Sequence, residues 1–122
     1  MGASHRHLRA LVVDHLPGAA LKLVLINATI GGVALVAEAL ELGSALGLPE
    51  ELLRSELARG PLAGAVDRAY AEGSHFSVAL AAKAADLARG QAELPVLAAV
   101  HAVLTGRPEL AAHDLSALRP VR

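Results

Sequence analysis

The sequence has no cysteine and no tryptophan, and it has one tyrosine, one phenylalanine and one methionine in 122 residues. Without cysteine there is no disulfide framework, no thiolate metal site and no cysteine nucleophile. With 2% aromatic residues against 54% hydrophobic ones, the core has to be built from leucine, valine and above all alanine. Alanine favours helix and adds little bulk, so helix axes can approach closely. An excess of basic charge is also lacking. Eleven Lys and Arg against twelve Asp and Glu leave a formal charge of -1, which argues against nucleic acid or an anionic membrane surface as a main partner. The short cluster His5, Arg6, His7, Arg9 reads as a polar N-terminal arm.

Several motifs are missing as well. No G-x-G-x-x-G, Walker loop or Ser-His-Asp spacing stands out. The six histidines show no HxxxH or HxH spacing beside an acid, so no metal site is expected. No secretory signal follows the basic start, because the apolar stretch Leu8 to Val13 closes at Asp14 and His15. The longest apolar stretch, Leu23 to Ala37, contains Asn27, Thr29 and Gly31-Gly32 and runs into Glu38 and Glu41. It reads as too short and too interrupted to span a bilayer, and as a helix buried in protein. A cytoplasmic protein is expected.

What is there predicts an all-α fold: a compact domain of five helices, or six, around a long central helix, with a short extended N-terminal arm over residues 1–18 and the helical domain over 19–122. RALVVDHL, residues 9–16, has strand character and breaks at Pro17-Gly18. The first helix is expected from about Ala19 to Ala45, stopped by Gly47; its first half is apolar on nearly every face, which marks it as the element around which the others pack. Gly31-Gly32 within it costs helix propensity and suggests a closely crossing backbone or a bent axis. A second helix should run from Pro49 to Gly60-Pro61, a third from Leu62 to Ala71, a fourth from Val78 to Ala88 with a serine cap at Ser74 or Ser77, and a fifth from Pro95 to Leu104. HDLSALRPV forms a short C-terminal cap.

Four side chains carry candidate chemistry. Lys22 sits one turn into a greasy helix, where partial desolvation favours its neutral form; it either relays a proton in a cleft or snorkels to solvent. Asn27 is costly to bury unless its amide is satisfied, and it reads first as a buried hydrogen bonder. At about 100° per residue it lies roughly 140° round the helix from Lys22, whereas Thr29 shares the lysine's face. Lys83 and Asp86 have the i, i+3 spacing of a surface ion pair.

The order GAALKLVLIN, EALELGSALGLPEELL, FSVALAAK, LPVLAAV and HDLSAL, spanning about residues 12 to 119, resembles the C-terminal helical domain of the β-hydroxyacid dehydrogenases, the 3-hydroxyisobutyrate and 6-phosphogluconate dehydrogenase group, with glyoxylate and imine reductases as relatives. In that family a Rossmann domain holds NAD or NADP and the helical domain supplies much of the substrate pocket. The resemblance aligns Gly18 and Lys22 with a G-x-G-x-x-x-K-x-x-N-N pattern, which makes Lys22 the catalytic proton-transfer lysine. It also brings Glu38 to the family's glutamate, Phe76 to a substrate-lining aromatic, and Lys83 to a lysine near the cofactor. The Glu38 register puts Leu25 and Ile26 at the two asparagine positions, so Asn27, the candidate substrate-orienting amide, falls one residue late; Ala84 stands where the family has an aspartate after its lysine.

RALVVDHL looks like the last strand of a Rossmann domain whose remainder, with its dinucleotide fingerprint, does not precede it. The resemblance therefore implies a dimerisation and substrate-pocket domain, inactive alone, binding no cofactor by itself and pairing as a homodimer. Its alternative is a fragment or subunit of a working NAD(P)-dependent 3-hydroxyacid dehydrogenase, or imine or aldehyde reductase, completed by a separate Rossmann-domain partner.

Overall fold

The structure, a computed structural model, describes residues 17–120. The strand-like segment 9–16 and most of the expected arm lie outside the described residues. Five α-helices follow one another: α1 (Pro17–Ala45), α2 (Glu50–Ala58), α3 (Ala63–Ala69), α4 (Val78–Arg89) and α5 (Pro95–Thr105); two 3-10 turns, Pro108–Leu110 and Leu115–Leu118, complete the chain. This is the all-α, five-helix architecture expected.

The helix ends lie where local chemistry puts them. Gly47 takes the left-handed conformation at φ 82°, and the Gly47 and Leu48 N–H groups donate to the carbonyls of Ser44 and Gly43. That pair of bonds is a Schellman stop, and a residue with a Cβ fits it poorly. Pro49 is extended at ψ 146° and caps α2, whose first turn carries Glu50 and Glu51, favourable against the helix dipole. Of the two candidate serines it is Ser77 that caps α4, its Oγ accepting from the Leu80 N–H at 3.1 Å. The first two N–H groups of α4, those of Val78 and Ala79, donate to the carbonyls of His113 and Ala111. An isolated antiparallel bridge, Ser77 with Asp114, thus folds the C-terminal segment back over the start of α4 and satisfies groups that a helix terminus leaves open. α3 is shorter than expected and ends at Ala69.

The core runs down one side of the second half of α1. Ile30, Val33, Val36 and Leu40 are buried there against Val66 and Ala69 of α3, Ala81 and Ala85 of α4, Val100 and Leu104 of α5, and Leu115 and Leu118 of the last turn. The fully buried alanines of α4 let it lie close to α1, the use expected of an alanine-rich composition.

The central position belongs to a different part of α1 than the sequence suggested. It is the second half that the other helices surround; in the first half Leu21, Val24 and Leu25 are 59%, 66% and 57% exposed. Helices α2 to α5 have 7 to 12 residues each, so none matches the span of the 29-residue α1, about 43 Å at 1.5 Å per residue. The apolar helix is also longer than the fifteen-residue stretch read from sequence. Gly18–Ala45 has mean hydropathy 2.0 in its most apolar window and is long and apolar enough to cross a membrane by length and composition, with 39% of that window buried inside the protein.

The two glycines inside α1 serve different ends. A Cβ on Gly32 would stand 2.9 Å from the Ala65 Cβ of α3, whereas one on Gly31 would meet nothing within 4 Å. The close neighbour is therefore a side chain of α3 at one of the two positions, and no backbone crosses at the pair.

Candidate functional site

Where α1 passes the C-terminal end of α4 and the face of α5, a groove of about 720 Å³ opens, within the size range of small-molecule pockets. Asn27, Gly31, Ala34, Leu35 and Glu38 form its α1 wall. They recur at intervals of three and four, so one helix face supplies them all. The lining begins one turn earlier, at Leu23, and from there to Glu38 the wall is about 22 Å long at 1.5 Å per residue. Ala88 and Gln91 close one side and Leu97, Val100 and Val103 the other. Among the described residues, no lining side chain apart from Glu38 is charged, and none apart from Asn27, Glu38 and Gln91 is polar.

Asn27 is 5% exposed. Its side-chain N–H groups donate to the Leu23 carbonyl at 2.9 Å and the Ala84 carbonyl at 3.2 Å, so the amide ties α1 to α4 as well as satisfying its own turn. Both donors being spent on carbonyls fixes the amide's orientation, since a flipped group would set oxygen against oxygen. The Asn27 Oδ1 is buried with no hydrogen-bond partner, and so is the Gln91 Oε1. Each of these oxygens is enclosed by protein rather than open to the groove, and a buried acceptor left unmade costs roughly 1–3 kcal/mol.

Lys22 opens elsewhere. It is exposed and, with Gly18, Leu21, Leu25, Ile26 and Thr29, lines a shallower cavity of about 330 Å³ made from α1. Thr29 shares this cavity with the lysine, and Asn27 does not. Lys83 is exposed on α4 and lines neither cavity. Its expected partner Asp86 is instead 3.9 Å from Arg89, one turn further on. Phe76 is half-buried against the core, its N–H donating to Asp114 and its carbonyl accepting from Leu115; it too lines neither cavity. Lys22, Asn27, Phe76 and Lys83 are thus brought to different parts of the fold.

Asp114 carries a densely bonded carboxylate. Arg68 holds it with two bonds at 3.1 and 3.2 Å, and the N–H groups of Phe76 and Ser116 donate to it at 3.0 Å each. Burial alone would raise its pKa, but the Arg68 guanidinium and the backbone donors outweigh that and hold it well below the usual carboxylate range. This cluster joins α3, the loop before α4 and the final turn, so its role is to hold the fold. Beside it the Tyr70 ring lies between the guanidinium groups of Arg54 and Arg119, 4.0 and 4.2 Å from its centroid, and its hydroxyl donates to Glu50 at 2.8 Å. Burial, reinforced by the Glu50 carboxylate, raises the Tyr70 pKa.

Sequence reasoning missed Gln91, which stands one residue past the Gly90 that ends α4 and has no periodic signature. It also missed Asp114 as a cap, although Asp followed by a short apolar turn is a recognisable start signal. Among the described residues no group of three or more His, Asp or Glu is positioned to hold a metal ion. No family model matches the chain, and no curated protein or solved structure is detectably similar to it.

Proposed function

We propose that this chain is a helical dimerisation and small-molecule-pocket domain, related to the C-terminal domains of NAD(P)-dependent β-hydroxyacid dehydrogenases and without hydride chemistry of its own. The observation that carries the reading is the large apolar groove along α1, with Lys22 turned to a separate cavity. General acid–base catalysis requires the proton-transfer group within hydrogen-bond reach of the bound molecule. Among the described residues, the polar side chains lining the groove are Asn27, Gln91 and Glu38, and Lys22 is not one of them.

The groove does not fit a dinucleotide. A pyrophosphate needs cations or a cluster of free backbone N–H groups, whereas among the described residues the polar side chains lining this groove are Asn27, Gln91 and the acidic Glu38. A second reading, in which a separate Rossmann-domain partner brings NAD or NADP to an enzyme served by Lys22, draws support from the exposure of that lysine over its own cavity with Thr29. In that case Phe76 and Lys83 would act through surfaces the partner completes.

Pairing through α1 belongs to the same proposal. Leu21 and Leu25 lie one turn apart and more than half exposed, and together with Val24 they form an apolar strip of the kind that marks an interaction surface. A second copy presenting the same strip would cover it about a two-fold axis. A cytoplasmic location is part of this reading, with α1 serving as core helix: its second half is enclosed by α3, α4 and α5. Sedimentation equilibrium at tens of micromolar tests the pairing. A dimer is expected for the native chain and a folded monomer for the Leu21→Glu/Leu25→Glu variant, and a native chain that stays monomeric contradicts it.

A further inference from the structure

The outer side of α1 carries a regular repeat. Leu21, Val24, Ala28, Gly31, Leu35, Glu38 and Leu42 follow one another at alternating spacings of three and four. All are exposed except Gly31, which is half-buried, so one seam runs about 32 Å along the outside of the helix at 1.5 Å per residue. Alternation of three and four sustained over three heptads is the pattern of a helix that packs against another helix. The five residues from Val24 to Glu38 also line the groove, so seam and groove share one face.

The seam complements itself in one arrangement. Run antiparallel about a two-fold axis between Thr29 and Ile30, it sets Ala28 against the partner subunit's Gly31, Val24 against the partner subunit's Leu35, and Leu21 against the partner subunit's Glu38. The two small residues meet at the axis, where they let the helices approach closely, and the larger ones interlock on either side. Each Glu38 then lies at an end of the overlap, in reach of water. A parallel pair would instead face Glu38 with its own copy across an apolar seam, which like charges oppose.

The exposed area is of the size that pairing needs. Leu21, Val24, Leu35, Leu42, Val96 and Val103 are 38–74% exposed; at roughly 150–200 Å² for a fully exposed valine or leucine they leave about 600 Å² of apolar side chain uncovered per copy, against about 800 Å² per partner, a little over half of it apolar, in a standard interface. A small molecule on the groove floor would not cover the rim, where Val24, Leu35 and Val96 are 66%, 55% and 74% exposed. We propose that the α1 of a second copy, antiparallel and in this register, roofs the groove, so that the pocket is complete only in the pair. This rests on the reading of α1 as the pairing helix and extends it from Leu21 and Leu25 to the whole seam. A small apolar molecule is then held between the partner's helix and a floor where Ala34, Ala88 and Val100 are 5%, 7% and 7% exposed.

The chain has no cysteine, so single-cysteine variants of the full chain report the register directly. The Val24→Cys and Leu35→Cys chains, refolded together in a glutathione redox buffer, should form a disulfide with each other, as should the Leu21→Cys and Glu38→Cys chains. Neither Val24→Cys nor Leu35→Cys should cross-link to its own copy, from which it stands about 16 Å away along the seam. Gly31→Leu adds a side chain whose Cβ meets no atom within 4 Å in one chain, so the chain should fold, by circular dichroism, while the dimer dissociates on the order of ten-fold more readily or beyond. Gly31→Ala only matches Ala28 in size and should pair as the native chain does.

A Val24→Cys chain that cross-links to itself, a mixture in which neither pair cross-links, or a Gly31→Leu chain that dimerises as tightly as the native one overturns this register and the roofed groove, and leaves pairing through Leu21 and Leu25 standing. A native chain that is monomeric in sedimentation equilibrium, or that partitions into phosphatidylcholine vesicles in place of pairing, overturns both.

Discussion

Replacing each of the two adjacent glycines of α1 by alanine should move stability in different directions. In a helix interior glycine costs about 0.8–1.0 kcal/mol relative to alanine, so both substitutions start with that gain. At Gly31 nothing offsets it, because the new methyl group enters the open groove. At Gly32 the methyl group would stand 2.9 Å from the Ala65 Cβ, and Ala65 has no rotamer with which to withdraw. Either α1 or α3 must shift, and overpacking of this kind costs roughly 1–3 kcal/mol. Gly31→Ala should therefore stabilise by about 1 kcal/mol, and Gly32→Ala should be neutral or destabilising by up to about 2 kcal/mol. For a chain of this length 1 kcal/mol moves Tm by about 3–6 °C. Thermal and urea unfolding followed by far-ultraviolet circular dichroism measures both, at one fixed protein concentration because self-association of the kind proposed would make Tm concentration-dependent. Equal stabilisation by the two substitutions would refute the packing of α3 against Gly32 and, with it, the orientation of α1 that turns Gly31 to the groove.

The Asp114 cluster predicts an acid limb in the stability profile. Its pKa is depressed on folding, so its contribution is fully present above the unfolded value of about 4 and is lost as pH falls below that toward the folded value. Asp114→Asn should cost roughly 2–4 kcal/mol at neutral pH, since it strands a guanidinium that is 18% exposed, and should flatten the acid limb seen in urea titrations. Tyr70, whose pKa is raised, acts in the opposite direction: its contribution is present below about pH 10 and lost as pH rises through the folded value, so Tyr70→Phe should flatten the alkaline limb. Ser77→Ala removes the cap of α4 and should cost about 1 kcal/mol in the same assay, with Ser77→Asp restoring most of it.

The helix boundaries were legible because each is written in local chemistry: Gly47 after α1, Pro49 before α2, Gly60-Pro61 after it, Ser77 before α4, Gly90 after it and Pro95 opening α5. What local chemistry does not carry is which neighbour covers which stretch. The first helix is apolar along its whole length, so hydropathy could not tell the enclosed half, Ile30 to Leu40, from the half where Leu21 and Leu25 stay exposed; the short lengths of α3, α4 and α5 decide that. The helical wheel separated Lys22 from Asn27, and the two do open on different cavities. It could not supply Ala84, 57 residues away, as the carbonyl that fixes the Asn27 amide, nor Gln91 as a second unpaired acceptor. Arg68 and Asp114 meet across 46 residues, a separation no local pattern encodes. Lys83 and Arg89 flank Asp86 at equal spacing, and the choice between them depends on rotamers.

The central claim, that the pocket of this domain takes a small apolar molecule and holds no nicotinamide dinucleotide by itself, is tested most directly by calorimetric titration of the purified chain with NADH and with NADPH. No heat of binding is expected for either, because the described lining of the groove is apolar apart from two amides and a carboxylate, where a pyrophosphate would need cations or free N–H donors. A saturable isotherm with Kd on the order of micromolar for either cofactor would contradict it.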